Sequence, residues 1–231
     1  MAVGYNPRIV TDGLVLALDA GNTKSYPGSG TNVSDLSGSG YNFTMTNGAT
    51  TNATNGGVFS FDGSDDYLNT TSIPSSFWNS GSWTVSLWAY FDNVDKNSGS
   101  TGNDNVMISH GTSSANSGLH ICERIRRIHF GFYSNDLTSD QVLDANTWYN
   151  IVCRFAYGTS QKRIFLNGVQ LKSGGSVGYS GTSDDTRIGN FAYSSNQDMD
   201  GFLNNMMFYN RVLTDSEIKQ NFNALRGRFG I

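Results

Sequence analysis

Residues 82–91, SWTVSLWAYF, hold the clearest alternation of the chain. One parity is apolar throughout and consists of Trp83, Val85, Leu87, Ala89 and Phe91. The other parity mixes small hydroxyl residues with Trp88 and Tyr90. Because successive side chains of a strand point to opposite faces, this period of two predicts a β-strand with one face in a core.

Similar segments recur along the chain. GLVLALDA from Gly13 is predicted to be a buried strand, and further strand segments are VMISH, LHICE, RIHFGFY, TWYNIVCRF, TRIGNF and FLNNMMFYN. In RIFL-Asn167-Gly168-VQLK the Asn-Gly pair predicts a two-residue hairpin with a type I′ turn. Arg124, Arg126 and Arg127 fall at the turn between LHICE and RIHFGFY, where they are expected to form a solvated edge.

One helix is predicted. Thr214 and Glu217 have the spacing of a capping box, which favours a short helix over SEIKQNFNAL. Many strands with turns at short intervals and no βαβ alternation indicate an all-β fold, a two-sheet antiparallel jelly-roll sandwich with one short C-terminal helix. A length of 231 residues suits a single domain. We therefore expect one domain over 1–231, with an N-terminal arm at 1–12 and a C-terminal tail at 224–231.

Charge and hydropathy exclude several partners. A formal charge of −4 and a pI of about 5.2 provide no basic face for phosphates, so nucleic acid is not expected to bind. No apolar stretch has the length of a membrane-spanning helix, and the opening MAVGYNPRIV lacks the apolar core of a signal peptide, so we expect cytoplasmic synthesis without membrane insertion. Cys122 and Cys153 are expected to be free thiols.

Several segments in order resemble the laminin-G-like branch of the concanavalin A-like lectin/glucanase superfamily. They are GLVLALDA, FDGSDDYL at 61–68, SWTVSLWAYF, NTWYNIVCRF at 146–155, RIFLNGVQL at 163–171, and TRIGN with GFLNNMMFYNRVLTDSEIKQNF. The opening VTDGLVLALDAGNTKSYPGSG and the closing NFNALRGRFGI resemble the versions carried by bacteriophage virion proteins. The resemblance implies a lectin-like sandwich on a virion surface, made in the host cytoplasm.

Catalysis is not expected. Glucanases of this fold present paired carboxylates from one strand in a pattern such as Glu-x-Asp-x-x-Glu. The chain has only two glutamates, Glu123 and Glu217, and neither lies in such a pattern. His110, His120 and His129 lack metal-ligand spacing and are expected to be scattered strand residues. The sequence therefore predicts a protein that is not an enzyme, with a glycoside hydrolase as a remote alternative.

Two kinds of binding site remain candidates. Relatives often hold Ca²⁺ at the rim of the sandwich, and Asp62, Asp65 and Asp66 are the candidate ligands, although they also suit a turn and the start of a strand. Trp88 and Tyr90 are candidates for a sugar platform, unless Trp88 packs inside the fold. Candidates for further aromatic contacts near loops are Tyr133, Tyr179 and Tyr193.

The resulting hypothesis is a non-enzymatic phage virion surface protein: a capsid decoration, fibre or tail-associated subunit. Its partners would be other virion proteins, with self-association as a further option. Arg226, Arg228 and Phe229 are the candidate assembly residues, the alternative being a frayed terminus. The alternative function is a carbohydrate-binding module that recognises host-surface glycans.

Overall fold

A computed structural model describes residues 7–94, 96, 104–175, 177–194 and 197–231. Within these ranges the chain forms sixteen strands and two α-helices. The strands are β1 (Leu14–Leu18), β2 (Asn32–Val33), β3 (Phe43–Thr46), β4 (Thr50–Asn52), β5 (Val58–Asp62), β6 (Tyr67–Thr70), β7 (Trp83–Phe91), β8 (Asn105–Gly111), β9 (Gly118–Arg124), β10 (Arg127–Gly131), β11 (Asp136–Thr138), β12 (Trp148–Ala156), β13 (Gln161–Leu166), β14 (Val169–Gly175), β15 (Thr186–Ile188) and β16 (Asp200–Tyr209). The helices are α1 (Ser75–Asn79) and α2 (Asp215–Leu225).

The strands form two eight-stranded antiparallel sheets that pack as a sandwich. The first sheet has the order β14-β13-β12-β7-β16-β5-β4, with β1 also paired to β16. The second sheet has the order β11-β10-β9-β8-β15-β6-β3-β2. This architecture confirms the predicted two-sheet jelly-roll sandwich. The predicted strand at 83–91 is β7, which lies between β12 and β16 in the first sheet.

The core lies between the sheets and is rich in aromatic rings. All five apolar side chains of the alternating parity of β7 belong to it. Trp83 of β7 contacts Phe130 of β10 across the sandwich, with ring centroids 5.5 Å apart. Burial of large rings from both sheets is the dominant favourable contribution to the stability of such a fold. The hydrophobic alternation of the sequence therefore fixes which face of each strand is buried.

The turn at Asp62-Gly63 connects the two sheets. β5 pairs with β16 and β4 in the first sheet, whereas β6 pairs with β3 and β15 in the second. The turn between them is therefore a crossing at the rim of the sandwich, not a hairpin. The Asn167-Gly168 turn does close a hairpin, between β13 and β14, as predicted.

The capping box of α2 is confirmed. The Thr214 hydroxyl accepts a hydrogen bond from the Glu217 backbone N–H, and the Glu217 carboxylate accepts one from the Thr214 N–H. The prediction of a single helix was incomplete, because α1 places Trp78, which is fully buried, against Trp83. Five residues are too few to show helical periodicity, so this helix leaves no pattern in the sequence.

The C-terminal tail packs against the rest of the domain and is not a frayed terminus. Phe229 is buried and stacks on Trp88 of β7, with ring centroids 4.1 Å apart. Arg228 donates hydrogen bonds to the backbone carbonyls of Asn55 and Gly57 and forms an ion pair with Asp19. Residues 226–231 are therefore held by the first sheet.

The described part of the N-terminal arm is also fixed to the domain. The Val10 N–H donates to the Asn221 side chain of α2, and the Val10 carbonyl accepts from the Tyr209 hydroxyl. Residues 1–6 lie outside the described ranges. Cys122 and Cys153 are buried free thiols in different sheets. No helix in the described chain is long and apolar enough to span a membrane.

Candidate functional site

The side of the second sheet that faces away from the core carries a cavity. On β9, Leu119 and Ile121 point into the core, so the opposite parity, with His120 and Arg124, faces outward. The cavity has a volume of about 320 Å³. Its lining comes from β9, β11 and three loops, and consists of Ser113, His120, Arg124, Tyr133, Ser134, Asp136, Phe191, Tyr193, Ser194 and Gln197.

Strand register brings His120 and Asp136 together over a glycine. Both residues pair with Gly131 of β10, one from each side. His120 Nε2 lies 3.3 Å from Asp136 Oδ1. A Cβ atom at position 131 would lie 2.1 Å from each of these two atoms, so any larger residue would separate them. Gly131 is therefore required for this pair.

Arg124 is anchored at the cavity wall. Its guanidinium binds the buried Asp104 carboxylate through two nitrogens, with Nε 3.0 Å from Oδ1 and Nη2 2.6 Å from Oδ2. Only 18% of the Arg124 side chain is exposed. The prediction that this arginine belongs to a solvated edge was wrong, because Asp104 lies far from it in sequence and gives no local signal.

Asp136 is a carboxylate at neutral pH. Burial raises its pKa, but His120 and the positive charges of Arg124 and Lys162 outweigh burial and hold the pKa below the ordinary value. The second Arg124 terminal nitrogen, Nη1, lies 3.8 Å from Asp136 Oδ2, which is too far for a hydrogen bond. The cavity wall thus presents a carboxylate oxygen that can accept a hydrogen bond from a ligand, next to a guanidinium nitrogen that can donate one.

Two tyrosines supply aromatic surface at the mouth of the cavity. Tyr133 is 39% exposed, and its ring contacts Tyr193 edge to face, with centroids 6.1 Å apart. Tyr193 packs in turn against the buried Phe191 at 5.0 Å. Tyr133, Tyr179 and Tyr193 all lie in loops, as predicted, but Tyr179 is buried at 3% exposure and hydrogen-bonded to His110, so it offers no surface to a ligand.

Tyr133 occupies a conformation that ordinary residues avoid. Tyr133 and Ser134 form a two-residue turn with φ of 58° and 57°, and the Phe132 N–H bonds the Asn135 carbonyl across it. Positive φ at both central positions is the type I′ turn that normally takes Asn-Gly, as at Asn167-Gly168 in this same chain. Strained backbone of this kind is concentrated at functional sites. The turn positions an aromatic ring at the cavity despite that cost.

The predicted sugar platform at Trp88 and Tyr90 lies elsewhere. Trp88 is fully buried beneath Phe222 and Phe229, so it has no surface on which a sugar could stack. Its assignment as a ligand-binding residue was wrong, because α2 and the tail cover this face of the first sheet. Tyr90 is half-buried against Trp148 and Phe202 in the same sheet and does not line the cavity.

The acidic turn at the rim is a separate candidate metal centre. Asp62, Asp65 and Asp66 each place a carboxylate oxygen within 4.8 Å of the others. Asp66 is 4% exposed, and its Oδ1 has no hydrogen-bond partner. Burial and the charges of Asp62, Asp65 and Asp198 raise the pKa of Asp66. A buried, unpartnered oxygen among like charges suits a hard cation such as Ca²⁺, which prefers oxygen ligands.

The two glutamates have structural roles. Glu123 accepts hydrogen bonds from Asn105 Nδ2 and from the Arg126 backbone N–H. Glu217 caps α2 and binds Arg211. Among the described residues, the cavity lining contains one carboxylate, Asp136, whereas the glucanase mechanism needs two that flank the scissile bond.

Apart from Tyr133 and Tyr193, the cavity residues were not predicted from the sequence to form a binding site. His120 was expected to be a scattered strand residue, and Asp136 and Gln197 drew no attention. Strand β10 lies between β9 and β11, so the partners of this site are joined by sheet register and not by a motif. Only a correct pairing of these strands, together with Gly131 between them, would have indicated the site.

The two-sheet jelly-roll architecture defines the chain as a lectin-like β-sandwich domain. The profile described as the concanavalin A-like lectin/glucanases superfamily, laminin G type, matches residues 62–219. The chain therefore belongs to this superfamily. No curated protein sequence matches the chain.

Solved structures with the same fold include bacterial toxin domains. The binding domain of Paraclostridial Mosquitocidal Protein 1 has a TM-score of 0.68 and 16% identity, over 93% of this chain and 52% of that one. The binding domain of botulinum neurotoxin DC, in complex with SialylT, has a TM-score of 0.66 and 14% identity over 93% and 52%. A third structure concerns botulinum neurotoxin type C, whose cell entry depends on two ganglioside molecules, with a TM-score of 0.67 and 16% identity over 93% and 52%. The chain thus spans about half the length of these structures, and the likeness shows the fold.

Proposed function

We propose that the protein is a non-enzymatic carbohydrate-binding module and that its ligand site is the cavity on the second sheet. The observation that carries this proposal is the combination of aromatic surface, from the exposed Tyr133 and the half-buried Tyr193, with a wall of charged and amide groups from Arg124, Asp136 and Gln197. Aromatic faces stack on the apolar side of a pyranose, and polar groups bind its hydroxyls. The ganglioside dependence of one toxin with this fold supports the proposal.

Enzymatic hydrolysis is not part of the proposal. The side chain of Asp104, the carboxylate nearest to Arg124, is 1% exposed and held by three hydrogen bonds from Arg124. It therefore has no access to a glycosidic oxygen. Asp136 alone supports neither a retaining nor an inverting mechanism, because both use two accessible carboxyl groups.

A glycan array probed with the purified chain, followed by calorimetry on each hit, tests this function. We expect saturable binding of at least one glycan with a Kd between micromolar and millimolar, which is the range for a small, open polar site. Incubation of every hit with the protein is expected to leave the glycan intact by chromatography. Absence of any binding across the array would contradict the proposed function, and product formation would contradict its non-enzymatic part.

We further propose that the module is displayed on the surface of a phage virion, where it contacts other virion proteins and recognises host-surface glycans. This location is supported by the likeness of both chain ends to phage virion proteins. The tail residues Arg228 and Phe229 are held within the domain, which leaves only the exposed Arg226 as a candidate assembly contact. Labelling of intact particles with an antibody to the domain tests the location. Label confined to disrupted particles would contradict it.

A cation at the acidic turn is also proposed. Asp62, Asp65 and Asp66 would hold Ca²⁺, which would neutralise the like charges at the crossing between the two sheets. Lys96 lies beside this turn and bridges the carbonyls of Gly63 and Asp198. The loop that contains Asp198 also supplies Gln197 to the cavity wall. A cation that fixes the acidic turn would therefore also help to fix the position of Gln197.

A further inference from the structure

The charges around the cavity define which sugars it can accept. The cationic groups of the described cavity region are already paired or buried. Arg124 forms a two-nitrogen contact with Asp104, and His120 lies against Asp136. Lys162 is 1% exposed and donates hydrogen bonds to the backbone carbonyls of Phe130 and Asn135. Asp104 therefore neutralises the charge of Arg124, which leaves Nη1 as a hydrogen-bond donor but gives no uncompensated positive charge in the described lining to attract a carboxylate on a ligand.

The accessible charge of the cavity is negative. Asp136 is the one carboxylate that the described residues contribute to the lining, and 29% of its side chain is exposed. Its pKa lies below the ordinary value, so it remains ionised at neutral pH. A sialic acid or uronic acid in the cavity would bring a second carboxylate close to Asp136, and like charges in a partly buried site repel strongly because screening there is weak.

The same pair of residues suits neutral hydroxyls. Asp136 Oδ2 can only accept hydrogen bonds, and Arg124 Nη1 can only donate them. At a separation of 3.8 Å they do not satisfy each other. A sugar hydroxyl both donates and accepts, so one hydroxyl can donate to Asp136 while its neighbour on the ring accepts from Arg124. The charge-assisted character of both bonds makes them stronger than neutral ones.

The size of the cavity limits the length of ligand that it encloses. Its volume of about 320 Å³ lies at the lower end of the range of about 300–1,000 Å³ for small-molecule sites. Such a volume suits one or two sugar rings and not a long internal stretch of polysaccharide. Tyr133 borders this volume at its mouth and is placed to stack on the ring that enters.

From these observations we infer that the cavity selects the neutral terminal residue of a glycan through two adjacent hydroxyls, held by Asp136 and Arg124, and rejects sialylated and uronate-bearing ends. The inference rests on the proposed carbohydrate-binding function and names its ligand class. The inference gives this chain a different ligand preference from the toxin domain that was solved in complex with SialylT. A shared fold at 14% identity does not require a shared ligand site.

Calorimetry with matched ligand pairs tests this selectivity. The neutral arm consists of lactose, cellobiose, maltose and every neutral array hit, and the acidic arm consists of 3′-sialyllactose and the terminal uronate form of each hit. For each neutral sugar that binds, we expect its acidic counterpart to bind at least tenfold more weakly. Equal or tighter binding of the acidic member would overturn the inference and leave the carbohydrate-binding function intact. Absence of binding to both arms would overturn the function and the inference together.

Asp136→Asn supplies a variant that tests the cause of the selectivity. The substitution keeps the shape of the side chain and removes its charge, so we expect weaker binding of the neutral sugar by about tenfold and a smaller ratio of neutral to acidic affinity. Asp140→Asn is the matched control, because Asp140 lies just beyond β11, binds Lys172 and does not line the cavity. A selectivity ratio that is unchanged in Asp136→Asn would overturn the assignment of Asp136.

Discussion

Individual buried groups carry electrostatic costs that a ligand or a pH change can reveal. Asp66 is the clearest case, since its Oδ1 is buried without a hydrogen bond. Because folding raises the pKa of Asp66, the ionised carboxylate is less favourable in the folded protein than in the unfolded chain, and its ionisation costs stability. A bound cation would reverse that preference, because the carboxylate would then gain an opposite charge.

Calcium is therefore expected to stabilise the protein through Asp66. The melting temperature of the unaltered chain should rise by several degrees between excess chelator and millimolar Ca²⁺. Asp66→Asn should be at least as stable as the unaltered chain in chelator and should not respond to Ca²⁺. Asp144→Asn serves as control, because Asp144 is an exposed partner of Arg126 outside the acidic turn. Identical melting curves of the unaltered chain with and without Ca²⁺ would contradict the metal assignment.

His110 makes the fold sensitive to acid. It is fully buried, and burial lowers its pKa to about 4. Between pH 6.5 and about 4 the unfolded chain binds a proton at this position that the folded chain does not, so stability falls as the pH falls. From this difference in pKa the loss amounts to about 3 kcal/mol at most.

The contribution of His110 is measured as the difference between the unaltered chain and His110→Phe. The variant should lose less unfolding free energy between pH 6.5 and 4 in chemical denaturation. The Tyr179 hydroxyl loses its hydrogen bond to His110 Nδ1 in this variant. It can still donate to the backbone carbonyls of residue 110 and Ser117, so it is not left without a partner. Parallel stability curves for the two proteins across this pH window would contradict the assignment.

At the scale of elements, two hairpin turns of the second sheet are strained and one turn of the first sheet is relaxed. Ile125 and Arg126 join β9 to β10 with φ of 49° and 61°, and Tyr133 and Ser134 join β10 to β11 in the same way. Asn167 and Gly168 form the relaxed counterpart. Positive φ is most costly for a β-branched residue such as isoleucine.

A reciprocal exchange between these turns measures the strain. Ile125→Asn should stabilise the protein by about 1 kcal/mol, because Asn tolerates the left-handed conformation and Ile125 is half exposed. Asn167→Ile should destabilise it by at least as much, since it also removes the hydrogen bond to the Asn150 N–H. Urea denaturation of both variants gives the two values. A destabilised Ile125→Asn would contradict the account of this turn.

Most elements were predictable from the sequence because their signals are local. Alternation in β7, the Asn-Gly pair and the capping box each depend on residues close in the chain, and all three were confirmed. The strained turns were not recognisable as type I′ turns, because Ile-Arg and Tyr-Ser lack the usual residues. The cavity depends on the register of three strands around Gly131, which no local pattern encodes.

At the scale of the whole molecule, the C-terminal segment seals the first sheet. Parity alone left Trp88 as either a surface platform or a packed residue, because a strand face is exposed only if no other element covers it. Phe229 and Phe222 form the cover over Trp88, and Trp148 packs beside them against Phe229. Parity in a strand therefore separates the two faces but does not say which of them meets solvent.

Phe229→Ala tests this seal. We expect a loss of about 3 kcal/mol in unfolding free energy, because the ring is buried against two tryptophans. Tryptophan fluorescence of the folded variant should shift to longer wavelength as water reaches Trp88. Arg226→Ala, at an exposed neighbouring position, should change neither quantity. Unchanged stability and emission in Phe229→Ala would contradict the docked position of the tail.

Glycan binding by the cavity is the central claim, and a pair of tyrosine variants tests it most directly. Tyr133 and Tyr157 have similar exposure, 39% and 44%, but only Tyr133 lines the cavity. Titration of a binding glycan should show an affinity lower by about tenfold or more in Tyr133→Ala, which corresponds to the loss of one stacking contact, and an unchanged affinity in Tyr157→Ala. Equal affinities of both variants and the unaltered chain would place the ligand elsewhere and contradict the account.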